Sequence, residues 1–228
     1  MFVVSNVNSS LKILVVAAHS DDEVLGCGGT LLRHKLQGDN LQILFLTNGV
    51  SSRGTNKGVI KRSVASQDVA KLLGANSVTQ LDFPDNKLDT VPLLDVAKSV
   101  EQTASLFNPD IVYTHFAGDL NIDHQICSEA VSIAFRSMPG ISFSKIYGFE
   151  VQSSTEWSFH MNFTPNHFVN ITETLEEKKS LMSIYEDEIR DFPHPRSYEA
   201  IDALAKWRGS IAGFKAAEAF MTLRSRWK

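Results

Sequence analysis

An α/β fold, with a Rossmann-like, mostly parallel sheet, helices on both faces and a C-terminal helical cap, is predicted by three observations. Short apolar runs alternate with helix-period segments through the first two thirds of the chain. The first runs are continuously apolar, as in strands buried on both faces. No internal repeat, low-complexity tract or long Pro/Gly linker interrupts the pattern. Residues 1–228 therefore read as one domain, with about 168–228 packed onto it as the cap.

Lys12–Ala18 is the first strand, carried by Ile13-Leu14-Val15-Val16. Val24–Gln37 follows as a helix stopped by Gly38. Leu41–Thr47 is the second strand, and Asn48–Gly58, with Gly49, Gly54 and Gly58 among polar residues, reads as a flexible loop. Val59–Leu73 is a helix closed by Gly74, Val78–Phe83 the third strand, and Pro84-Asp85-Asn86 a turn. Val91–Phe107 is a helix ended by Asn108-Pro109, Ile111–His115 the fourth strand, Asp123–Arg136 a helix and Lys145–Val151 the fifth strand. Phe168–Ile171 reads as a last strand. Thr172–Ile189 and Ser197–Phe220 read as two helices separated by Asp191-Phe192-Pro193-His194-Pro195-Arg196. Ligands in such sheets bind beyond the carboxyl ends of the strands, where the strand order reverses. If strands one and four are neighbours, the loops after both share one crevice.

A net charge of −4 and the lack of any Lys/Arg block argue against binding nucleic acid by phosphate neutralisation. Met1–Asn6 lacks the basic and apolar regions of a secretory signal. No apolar run reaches the roughly 18 residues needed to insert through a membrane. Cys27 and Cys127 fall inside expected helices and read as buried thiols, in keeping with a cytoplasmic location. A homo-oligomer is compatible with this composition.

Two clusters carry chemistry. The first, Ala17-Ala18-His19-Ser20-Asp21-Asp22-Glu23, brings one imidazole and three carboxylates to the end of the first strand. Crowded acids need a counter-charge, and a divalent cation supplies one. The plainer alternative is a helix N-terminus at which the acids only cap N–H groups. The second, Thr114–Gln125, contains His115, Asp119, Asp123 and His124. A catalytic zinc takes three protein ligands and keeps an open position, and His19, Asp22 and His124 meet that count. Another divalent ion, iron or manganese, suits the same donors. Asp21 stands next in the chain as the base that takes a proton from water. His115 is expected as a substrate contact, with a support for the ligands or a plain strand-end residue as alternatives. Trp157, Phe159 and Phe163 read as core, with an aromatic platform for a sugar ring or a nucleobase as the alternative.

These residues resemble the PIG-L/LmbE family of zinc-dependent N-acetyl-sugar deacetylases. Its pattern of Ala-His-Pro-Asp-Asp-Glu, a Gly-Gly-Thr helix and a later His-x-Asp-His is matched by Ala18–Glu23, Gly28-Gly29-Thr30 and Asn121-Ile122-Asp123-His124. Weaker matches are Leu46-Thr47-Asn48-Gly49, Lys61-Arg62, Leu72-Leu73-Gly74, Phe83-Pro84-Asp85, Arg208-Gly209 and Ala217-Glu218-Ala219-Phe220, so the likeness runs through almost the whole chain. Ser153–Trp157 and Phe192–Ser197 look like a bacterial subgroup associated with surface-polysaccharide sugars. The resemblance implies His19, Asp22 and His124 as zinc ligands and Asp21 as general base. It implies Asp123 as the acid that orients a histidine, and Arg62 as a contact to substrate hydroxyls or phosphate.

Two positions depart from the family. Ser20 replaces Pro, and Asn121 replaces the first His of His-x-Asp-His, the family's candidate for stabilising the oxyanion and protonating the amine. Asn donates a hydrogen bond but delivers no proton at neutral pH. Either Asp21 returns the proton, or His115 or His194 supplies it; His194 and Arg196 lie in a stiff Pro-bounded loop suited to a pocket wall. The expected activity is release of acetyl from an N-acetylated amino sugar, attached to a nucleotide or another carrier. The rivals are a nucleotide-dependent transferase, weakened by Asp-Asp-Glu where a dinucleotide loop needs glycines, and a sugar-binding protein whose catalysis is altered by Asn121.

Overall fold

The computed structural model describes residues 10–49, 56–137, 143–159 and 161–227, with backbone alone for 56–61. Its elements run β1 (Lys12–Ala17), α1 (Asp22–Gln37), β2 (Asn40–Thr47), α2 (Asn56–Leu72), β3 (Ser77–Phe83), α3 (Leu93–Phe107), β4 (Ile111–His115), α4 (Ile122–Ala134), β5 (Lys145–Phe149), β6 (His167–Asn170), α5 (Leu175–Met182), α6 (Tyr198–Ala212) and β7 (Ala217–Ser225). Three single-turn 3-10 segments, Leu88–Thr90, Thr155–Trp157 and Glu186–Glu188, lie in the connections.

Among the described residues, seven strands form one sheet in the order β3-β2-β1-β4-β5-β7-β6. The first five strands in that order pair in parallel, and β7 runs antiparallel to both β5 and β6. β1 and β4 are neighbours, with Ile13 opposite Ile111 and Val15 opposite Tyr113. The chain leaves β1 toward β2 on one side, while β4 lies on the other. The switch point therefore falls between β1 and β4, which meets the condition under which the loops after both strands share one crevice.

β1 alternates between two apolar layers. Ile13, Val15 and Ala17 face the layer that includes Leu31, Val69 and Met182, from α1, α2 and α5. Leu14, Val16 and Ala18 face the layer that includes Val96, Val100 and Val131, from α3 and α4. All six of these residues, the five of the strand and Ala18 just after it, have no exposed surface. Burying each of the four larger ones contributes roughly 1.5–3 kcal/mol, which fixes the strand that delivers His19.

Helix α1 is broken. Cys27 has φ −146° and ψ 16°, outside the helical region. In an unbroken helix Gly29 N–H would donate to Leu25 C=O. Here Glu218 of β7 accepts from Gly29 N at 2.9 Å and Thr30 N at 2.7 Å, while Lys178 Nζ donates to Leu25 O at 2.9 Å and to Glu218 Oε1 at 2.6 Å. A buried ion pair thus takes over both ends of the interrupted bond. Gly26 sits just before the break, and a Cβ there would lie 2.2 Å from Phe149 Cδ2, so only glycine allows β5 to come this close.

Several elements differ from the expected ones. The helix expected over Ser197–Phe220 ends at Ala212, where Gly213 adopts φ 76° as its left-handed cap, and the remainder is strand β7. The helix expected over Thr172–Ile189 contracts to α5 and the Glu186–Glu188 turn. The loop expected over Asn48–Gly58 gives way to helix from Asn56, and residues 50–55 lie outside the described residues. Cys27 and Cys127 are buried free thiols. Among the described residues, no helix is long and apolar enough to cross a membrane.

Candidate active site

The carboxyl ends of β1 and β4 meet at a cavity of about 370 Å³. His19 follows β1, Asp22 opens α1, and His124 lies in the first turn of α4. Each is a local consequence of a strand handing over to a helix at the switch point. Asn121 caps α4, its side-chain oxygen accepting from Asp123 N at 2.8 Å.

Three donor atoms converge. His19 Nδ1 lies 3.2 Å from Asp22 Oδ2, His124 Nε2 3.3 Å from the same oxygen, and the two nitrogens 3.3 Å apart. A tetrahedral ion with bonds of about 2.0–2.1 Å holds its donors about 3.3–3.4 Å apart, so this triangle fits a divalent metal of the zinc type. The other imidazole nitrogens are held by carboxylates, the arrangement that orients metal-binding histidines. His124 Nδ1 lies 3.0 Å from Asp119 Oδ1; His19 Nε2 lies 3.0 Å from Asp123 Oδ2 and 3.1 Å from Asp85 Oδ1.

Electrostatics favour a cation at this triangle. Burial pulls the His124 imidazole down, but the charges of Asp22 and Asp119 outweigh it and hold it at about 9. Burial pushes Asp22 up, yet His124 and His115 together carry it well below the ordinary carboxylate range. Asp119 behaves likewise: burial raises it, and hydrogen bonds from His124, Ser154 and Thr155 bring it to about 2. A field that stabilises imidazolium also stabilises a bound metal ion.

Asp21 lines the cavity beside the triangle. Its φ is 117°, a strained conformation for a residue with a side chain, costing about 1–3 kcal/mol. The chain holds it there with Asp21 O accepting from Val24 N and Leu25 N, and Asp21 N donating to Glu23 Oε2 at 2.9 Å. Burial raises the Asp21 carboxyl, and the charge of Arg196 opposes that rise. Arg196 Nη1 donates to Asp21 Oδ2 at 2.7 Å and to Glu188 Oε2 at 2.9 Å, and its Nε donates to Ser153 Oγ at 2.7 Å. Arg62 Nη2 donates to the other oxygen of Glu188. Burial lifts Glu23 to about 8, its Oε1 accepting from Tyr185 Oη at 2.7 Å.

Of the residues singled out in the sequence, His19, Asp21, Arg62, Asn121, His124, His194 and Arg196 all line this cavity. Asp22 and Asp123 lie directly behind it, in contact with His19. His115 is the exception. It has no exposed surface, stacks on His124 with ring centroids 3.9 Å apart, and accepts from Ala18 N at 2.9 Å. Expected as a substrate contact, it instead lies buried behind His124, and burial lowers it to about 4. Trp157 and Phe159, read as core, are 46% and 99% exposed, and Trp157 forms part of the cavity wall. Composition ranks both as interior residues, but the loop after β5 carries them past the end of the sheet.

Asp119, Asp85 and Glu188 belong to the site without a role assigned by the sequence pattern. Asp119 stood within the second cluster, five residues before His124, and that proximity was its only signal. Glu188 carried none.

Comparison with known proteins identifies relatives of this chain. A family model described as PIG-L, GlcNAc-PI de-N-acetylase, matches residues 14–135. The chain is 31% identical over 176 residues to the uncharacterized deacetylase YaiS of Escherichia coli K12, covering 75% of this chain and 88% of that protein. It is 25% identical over 224 residues to diacetylchitobiose deacetylase of Thermococcus kodakarensis, covering 92% and 82%. The fold matches N,N′-diacetylchitobiose deacetylase from Pyrococcus horikoshii with a TM-score of 0.78 at 21% identity, over 94% of this chain and 84% of that one. With the family match and the YaiS likeness together, the chain belongs to the PIG-L family of de-N-acetylases.

Proposed function

We propose that this protein is a zinc-dependent hydrolase that removes acetyl from an N-acetylated amino sugar, linked to a nucleotide or another carrier, in glycoconjugate or polysaccharide biosynthesis. The observation that carries this reading is the triangle of His19 Nδ1, Asp22 Oδ2 and His124 Nε2, with Asp21 in the same cavity. A divalent ion held by these donors supplies Lewis acidity and makes a water nucleophilic near neutral pH.

The chain's own residues do the rest. Asp21 takes the proton of the attacking water, with Oδ2 fixed by Arg196 and its second oxygen left for that proton. Asp119 and Asp123 hold the imidazoles of His124 and His19 in place. Asn121 stands at the cavity wall as a neutral hydrogen-bond donor, though one amide hydrogen goes to Asn86 Oδ1 at 3.1 Å. The departing amine takes its proton from Asp21 or from His194. His194 Nδ1 accepts from Arg196 N at 3.1 Å, so in the neutral ring Nε2 bears the proton and donates. Trp157, edge-on to His194 at 6.2 Å, offers an apolar wall to a sugar ring. Arg190, exposed and part of the same lining, offers a cation to the carrier.

The test is acetate release by metal-reconstituted protein from a panel of free and nucleotide-linked N-acetyl amino sugars, repeated with His194→Ala. Acetate released from at least one sugar supports the assignment. Metal binding with no acetate from any of them refutes it and leaves a sugar-binding protein. A His194→Ala enzyme with the parental rate and pH profile assigns the amine's proton to Asp21.

A further inference from the structure

The turn Glu186-Asp187-Glu188 carries three acids, and only Glu188 is buried, at 5% exposure. Its two carboxylate oxygens are divided between Arg62, from α2, and Arg196, from the loop before α6. Both guanidinium groups line the cavity that contains His19 and His124. Two arginines converging on one point form the fork that binds phosphate or carboxylate groups. Here the protein's own carboxylate fills that fork. A buried acid is costly unless it is paired, and removing one member of such a set leaves uncompensated charge.

We infer that Glu188 sets the charge selectivity of the inner cavity: it occupies the anion subsite that Arg62 and Arg196 would otherwise form, so the sugar is uncharged where it meets these arginines. The arginines still offer N–H groups to hydroxyls, but their charge is neutralised in advance. An anionic carrier is left to the mouth. On the exposed part of the lining, Arg190 Nη1 donates to the backbone carbonyls of Asp187 and Ile189.

Calorimetric titration of the metal-loaded protein with inorganic phosphate tests the subsite without any turnover. Glu188→Gln is expected to bind phosphate at least ~10-fold more tightly than the parent, the scale of one charge-assisted hydrogen bond. Adding Arg196→Gln should remove the gain, which separates this subsite from phosphate held at the metal ligands. Glu188→Ala repeats the measurement should the Gln variant misfold. Equal phosphate affinity in parent and variants overturns the inference. So does a parent that already binds phosphate through Arg196, a result that stands even if neither variant folds.

A second arm rests on the deacetylase reading. The preference for N-acetylglucosamine 6-phosphate over N-acetylglucosamine should rise ~10-fold in Glu188→Gln. An unchanged preference counts against the inference. No acetate from either sugar counts against the deacetylase reading, and the phosphate titration still decides on Glu188.

Discussion

Arg196 Nη1 lies 2.7 Å from Asp21 Oδ2, although 175 residues separate the two in sequence. The guanidinium is itself held by Ser153 and Glu188, so three segments fix the orientation of one carboxylate. A side chain held this way is poised to accept a proton without first reorganising.

Asp21→Asn preserves this shape and removes the basicity. Since Asp21 is not one of the three converging donors, the variant should keep its metal and lose activity by roughly 10²–10⁴-fold. Metal analysis beside acetate release checks both halves. An active variant removes Asp21 as the base, and metal loss exchanges its role with that of Asp22.

His19→Ala and His124→Ala should each abolish most binding of about one divalent ion per chain while leaving a cooperative thermal transition. Full occupancy in both variants would falsify the ligand assignment.

Asp119→Asn tests the support of His124. The amide can no longer act as an ionised acceptor for Nδ1, so metal affinity should fall about 10–100-fold. Competition with a chelator measures this. Unchanged affinity means that Ser154, Thr155 and packing suffice to orient the imidazole.

Glu218→Ala breaks the pair that bridges the interrupted α1. It strands the Lys178 ammonium and the N–H groups of Gly29 and Thr30, so a loss of about 3–5 kcal/mol is expected by denaturant unfolding. A loss below about 1 kcal/mol, the usual value of a surface pair, would show that water reaches this site.

His34 gives a pH prediction away from the metal ligands. It contacts Asp39 Oδ2 at 2.7 Å and the Tyr113 hydroxyl at 3.0 Å, and burial holds it below its ordinary value despite Asp39. The unfolded chain therefore binds a proton that the folded chain resists. The stability contributed by His34 is present above about pH 6.5 and is lost as pH falls toward the lower folded value. The Tm gap between the parent and His34→Gln should narrow from about pH 7 to about pH 5. A constant or widening gap contradicts the assigned direction.

The parallel half of the sheet and the convergence of His19, Asp22 and His124 were legible because their signals are local. Continuous apolar runs mark β1, β2 and β4, and each ligand lies within four residues of a strand-to-helix or loop-to-helix transition. β7 was not legible. Ala217-Glu218-Ala219 favours helix, and pairing with β5 and β6 overrides that preference. Gly213 was the stop signal that separated helix from strand. The pairing of Arg196 with Asp21 and the division of Glu188 between two arginines depend on distant segments meeting, which no spacing in the sequence encodes.

The sheet order also dictates an order of assembly. β6 precedes β7 in the chain, yet β7 lies between β6 and β5. Until residues 217–225 pair with β5, the strand at 167–170 has no edge to join. α5 and the Glu188 turn, which lie between these strands in the chain, are likewise not enclosed at both ends before that step. Both parts of the site wait for the same strand: β7 encloses the wall that carries Glu188, His194 and Arg196 and, through Glu218, bridges the break in α1 shortly after Asp22. The converging donors and the wall that faces them then depend on one and the same strand.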